Sequence, residues 1–145
     1  MAAALVALGP ATGVTVTSVD QHVGPPGVDL TTTALLGSAF GRAEVIGSFE
    51  HAESQGIVVE TAALVVDVPH PAFTSWRQES SLRVVENGVE RVETFAACDA
   101  YELMVSAVSA RVRGDDAWVL PLSTSYDVAL VLDAITSAAP PPNPD

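Results

Sequence analysis

The sequence predicts an α+β fold: a single mostly antiparallel sheet of about six strands, with C-terminal helices packed on one face. Three observations predict it. Alternating runs rich in β-branched residues fill most of residues 14–95. Asn87-Gly88, a preferred type I′ turn, sits between two such runs. After Cys98 the apolar spacing changes from every second residue to helical spacing and stays helical nearly to the end.

The elements follow in order. "AAALVALG" predicts a short helix stopped by Gly9-Pro10. "GVTVTSVD" alternates as a strand, and "HVGPPG" is a loop because prolines and glycines punctuate it. "VDLTTTALLGS" and "GRAEVIGSFE" read as a hairpin. In its second arm Val45, Gly47 and Phe49 share one face, and Arg42, Glu44, Ile46 and Ser48 share the other. "GIVVE" and "ALVVDV" pair around Thr61-Ala62. "PHPAFTSWRQES" has no period and reads as a long loop, and "LRVVENGVERVETF" is a hairpin.

"DAYELMVSAVSARVRG" predicts a helix with Asp99 as N-cap, Glu102 as its capping-box partner and Gly114 closing it. Tyr101, Val105, Val108 and Val112 form an apolar stripe expected to pack on the sheet, with Tyr101 and Met104 in the core. A second helix is predicted over 124–138, with Ser123 as N-cap and Val128, Leu132 and Ile135 on its inner side. Residues 1–139 are expected to form one domain, and 140–145 ("PPPNPD" at the end of the chain) a disordered tail.

A chain of 145 residues suits one ordinary domain that needs no disulfide or metal staple. Eighteen acids stand against six arginines and no lysine, a net charge of -12. That balance repels phosphate backbones and anionic lipid, so nucleic acid and membrane are not expected as partners. Without a basic leader or a long apolar run, the expected location is cytoplasmic. The lone cysteine, Cys98, excludes an internal disulfide, and the three histidines lack metal-ligand spacing. No metal and no cofactor are expected.

Few residues carry a chemical expectation. His51 follows Phe49 at a strand end with Glu50 and Glu53 near in sequence, so a carboxylate could orient it for proton transfer. It is the catalytic candidate; a solvated strand end is the alternative. Phe73 and Trp76, in the long aperiodic loop, are candidate substrate-binding residues, as are Phe49 and His22. The other reading of Trp76 is a plug at a sheet edge or subunit seam.

Three stretches together resemble the C-terminal domain of the glucose–fructose oxidoreductase/inositol dehydrogenase (Gfo/Idh/MocA) family. They are "VDLTTTALLGSAFGRAEVIGSFEHAESQGIVVE", "DAYELMVSAVSARVRG" and "LPLSTSYDVALVLDAITSA", and the resemblance runs over about residues 14–139. It implies a sheet that helps close a substrate pocket and makes subunit contacts. The departures are substantial. No GxGxxG is present, no lysine exists for the family's Glu-Lys-Pro motif, and the family's Asp/His catalytic segment would fall before Met1. "ETAA" at 60–63 replaces its Gly-Thr-Glu-Gly turn. No family catalytic residue carries over, and hydride transfer by this chain alone is not expected.

Two function classes follow. The first is a cofactor-independent cyclase that folds a hydrophobic polyketide or macrolide intermediate in an apolar pocket. The chain is similar in size and composition to small actinomycete macrolide cyclases that perform six-plus-four and four-plus-two cycloadditions in streptoseomycin- and nargenicin-type pathways. The alternative is a non-catalytic binding or assembly subunit that partners a separate oxidoreductase. Both predict a homo-oligomer formed through the sheet, and the first predicts a hydrophobic small-molecule substrate.

Overall fold

The computed structural model describes residues 2–25, 27–71 and 78–140. The chain forms two compact units, residues 1–52 with 120–145 and residues 53–119.

The first unit begins with helix α1 (Ala2–Leu8), which ends at Gly9 in the left-handed region with φ 81°. Gly9 has no Cβ to strain that conformation, and its N–H closes the last turn on Leu5 O at 2.9 Å. A 3₁₀ turn (Ala11–Gly13) leads into β1 (Thr15–Val23), β2 (Asp29–Gly37) and β3 (Arg42–Ser48), an antiparallel sheet in the order β1-β2-β3. Alternation then decides the faces. Ala34 and Leu36 of β2 are buried, and their cross-strand partners Val19, Val16, Val45 and Ala43 pack beside them. The terminal helix α3 (Leu122–Ala138) lays Val131 and Ile135 on this face, and Leu5, Leu8 and Ala11 complete the cluster.

The second unit is a four-stranded antiparallel meander, β4 (Ile57–Glu60), β5 (Leu64–Val68), β6 (Ser80–Glu86) and β7 (Val89–Phe95), in the order β4-β5-β6-β7. The last two strands close on Asn87 and Gly88, with φ 50° and 80°, the left-handed pair that a type I′ turn demands. Helix α2 (Ala100–Val112) follows. Asp99 Oδ1 accepts from the N–H groups of Tyr101 at 2.9 Å and Glu102 at 3.2 Å. The helix ends with Gly114 N–H on Arg111 O and Asp115 N–H on Ala110 O, paired bonds that the left-handed Gly114 permits.

Four expectations need correction. The seven described strands form two sheets of three and four, not one sheet of about six. Every pairing joins strands adjacent in sequence, and the polar stretch 49–56 between β3 and β4 supplies no hairpin to carry the meander across. The stripe on α2 is not core: no residue of that helix is buried, and Tyr101 and Met104 are exposed. The inner side of α3 is Val128, Val131 and Ile135, with Leu132 exposed. Its N-cap is Pro121, not Ser123; the Pro121 carbonyl accepts from Thr124 and Ser125 without a side-chain cap. No helix among the described residues is long and apolar enough to cross a membrane.

Candidate functional site

The densest side-chain chemistry lies at one end of the three-stranded sheet, on the face opposite the core. Register builds it. His22 of β1 stands opposite Thr31 of β2, and Thr31 stands opposite Ser48 of β3. Odd-numbered β2 residues point away from Ala34 and Leu36, so this row projects from the open face. Just beyond β3, Glu50 turns back over it.

The hydrogen bonds run in one direction. Ser48 Oγ accepts from the backbone N–H groups of Glu50 at 3.1 Å and His51 at 3.2 Å. With those bonds accepted, its own proton points to Thr31 Oγ1, 2.6 Å away. Thr31 in turn donates to Glu50 Oε2 at 3.1 Å, the oxygen that also lies 2.7 Å from His22 Nδ1. The bond from His22 is the largest influence on Glu50. It holds the carboxyl below its ordinary value of 4.5 against an opposing effect of desolvation, and Thr31 and the charges of His22 and His51 act in the same direction as the bond.

A carboxylate on Nδ1 selects the tautomer with the proton on that nitrogen and leaves Nε2 free. Nε2 can then accept from a hydroxyl or, when protonated, donate to a carbonyl oxygen. The pair is open to solvent: the His22 side chain is 63% exposed and that of Glu50 36%.

The expected residues are thus partly gathered. His22, Phe49 and His51 fall at this end of the sheet, but the carboxylate that sequence proximity assigns to His51 is engaged by His22 instead. His51 is held through its main chain. Phe49 anchors through its N–H to Leu30 O at 2.8 Å, and its ring is 87% exposed. Phe73 and Trp76 lie outside the described residues. Thr31 and Ser48 were missed by sequence reasoning. The signal for them is the hairpin register, since Thr31 and Ser48 pair across a short connection.

The same unit holds an open concavity of about 410 Å³ lined by Gln21, Val23, Gly27, Asp29, Thr136, Ala139 and Pro140. There Gln21 Nε2 donates to Thr32 Oγ1 at 3.0 Å, and Thr32 donates to Asp29 Oδ2 at 3.2 Å. Gln21 and His22 point to opposite faces of β1, so the concavity and the His22 row are separate. Among the described residues no group of three or more His, Cys, Asp or Glu side chains is arranged to hold a metal ion.

No protein-family model matches the sequence, and no curated protein does. Solved structures do match the fold. A single-substitution variant of KijD10, a 3-ketoreductase from Actinomadura kijaniata, in complex with TDP-benzene and NADP, superposes with a TM-score of 0.75 at 17% identity. The match covers 96% of this chain and 44% of that one. KijD10 with NADP gives 0.75 at 17% identity over 95% and 44%. KijD10 with NADP and TDP-benzene gives 0.75 at 17% over 95% and 42%.

The chain therefore has the fold of somewhat less than half of these proteins. The likeness agrees with the fold that the sequence resemblance implies. It overturns the expectation of a cofactor-independent macrolide cyclase, because these structures of shared fold are NADP complexes of a ketoreductase. The cycloaddition reading falls with it.

Proposed function

We propose that this chain is an oxidoreductase-related domain of the Gfo/Idh/MocA C-terminal type, a binding and assembly subunit that works with a dinucleotide-binding oxidoreductase chain. One observation carries the reading. Among the described residues of 53–119 a single hydrophobic side chain, Val84, is buried, and helix α2 buries none. Apolar surface left open on that scale marks an interaction site. The fold match supports an oxidoreductase as the partner, since this chain corresponds to 44% of the KijD10 chain.

In such an assembly the His22–Glu50 pair is the polar contact for a small ligand, with Phe49 and His51 beside it. A few convergent polar groups against apolar walls is the usual form of a small-molecule site. His22 binds and orients; hydride chemistry belongs to the partner.

The test is retention on an immobilised nicotinamide-dinucleotide resin. The tagged chain is expected to flow through alone and to be retained when co-purified with a reductase from the same cells. The retained complex should elute with free NADPH, and mass spectrometry should show a dinucleotide-binding chain in it. Retention of the purified chain alone would overturn the proposal, and so would a co-purified fraction with no dinucleotide-binding protein.

A further inference from the structure

Among the described residues, the outer edge of β7 is a regular strand with no partner. It ends the order β4-β5-β6-β7, pairs with β6 over seven consecutive residue pairs without a bulge, and is exposed along its whole length. It holds no proline. The hairpin closes on the pair Glu86 and Val89, so Val89, Arg91, Glu93 and Phe95 turn their main-chain groups toward β6. Glu90, Val92 and Thr94 turn theirs outward, and among the described residues no further main-chain bond reaches them. An open edge of this kind is a template for another strand.

We propose that β7 pairs antiparallel with β7 of a second copy of this chain, which joins two four-stranded sheets into one of eight. The sequence of the strand selects this occupant and its register. A twofold axis at Val92 sets Val89 opposite Phe95, Glu90 opposite Thr94, and Arg91 opposite Glu93 of the second copy. All outward main-chain groups then meet each other. Arg91 lies 3.1 Å from its own Glu93, so the twofold makes a square of alternating charges on one face. The neighbouring registers that keep the side-chain faces matched set Arg91 against Arg91 or Glu93 against Glu93, and like charges directly opposite are unfavourable. Edge charges of a single sign would repel a second copy; here the two signs are mirrored about the centre of the strand. This pairing does not depend on the function proposed above.

Sedimentation velocity on the full chain tests it. The unmodified chain is expected at twice the monomer mass, or at a higher even multiple. Val92→Pro removes an outward N–H that β6 does not use, so the fold should persist by circular dichroism and the mass should halve. Arg91→Glu should also halve it, by setting Glu against Glu93 of the second copy. The swap R91E/E93R should restore the original mass, because it again sets opposite charges across the twofold. A monomeric unmodified chain at micromolar concentration overturns the proposal. So does an oligomer that Val92→Pro leaves intact, or a double swap that stays monomeric while Arg91→Glu alone does not.

Discussion

Replacement of Leu36 by alanine tests the placement of the first unit's core, because its neighbour Leu35 serves as an internal control. Leu36 is 1% exposed and packs in the cluster with Leu8, Val131 and Ile135, whereas Leu35, on the opposite face of β2, is 43% exposed. Removing three carbons forfeits about 2.4 kcal/mol at about 0.8 per methylene. The partly relaxed cavity adds about 1 more, for a total of about 3.5 kcal/mol. At a urea slope of about 2 kcal/mol per molar, the midpoint falls by about 1.7 M. Leu35→Ala loses contacts only on its shielded side and should cost under about 1 kcal/mol, a shift below about 0.5 M. Urea titrations followed by circular dichroism give the midpoints, and hydrogen exchange over 29–37 reports the strand directly. Equal costs at the two positions, or a larger cost at Leu35, would refute the register that puts even-numbered β2 residues inside.

Two further outcomes follow from named contacts. Asp99→Ala strips two N–H groups of their acceptor and should cost about 1 kcal/mol of helix stability, seen as faster amide exchange at Tyr101 and Glu102; unchanged exchange there would remove Asp99 from the cap. Because the Glu50 carboxyl is held below 4.5, its contribution to stability is complete above that pH and is lost as pH falls through the lower folded value. Thermal melts should therefore show the advantage of the unmodified chain over Glu50→Gln disappearing as pH falls well below 4.5, and an advantage that persists undiminished there would contradict the His22 bond.

What the sequence made legible was local. Asn87-Gly88 announces its hairpin because few residue pairs accept two left-handed conformations in succession. Asp99 announces its helix because its side chain can satisfy N–H groups that nothing else reaches. The stripe of Tyr101, Val105, Val108 and Val112 was equally plain, yet its burial was not. Periodicity shows which side of a helix is apolar and is silent on what covers it. On α3 the difference between Leu132 and Val131 is one position, a rotation that only packing against β1 and the 3₁₀ turn can decide. The His22–Glu50 bond spans 28 residues, and no spacing rule reaches that far. It required the register of two hairpins, and a shift of one residue in either would have turned the row to the core face.

The two units differ in how their apolar residues are used, and that difference links the fold to the proposed role. In the first unit Leu5, Leu8, Ala11, Ala34, Leu36, Val131 and Ile135 close on one another, and polar chemistry is left on the opposite side of the sheet. In the second, the strands are as regular and the helix as well capped, but Val84 alone is buried among the described residues. Hydrogen bonding and caps set the second unit's local form without supplying the burial that small folds depend on. Surface of this kind gains stability when something binds to the folded form, by mass action, so the proposed partner would stabilise this unit. Edge pairing through β7 satisfies main-chain groups but leaves α2 open. The proposed assembly role would use both surfaces, the β7 edge for a second copy and the open α2 face for the oxidoreductase chain.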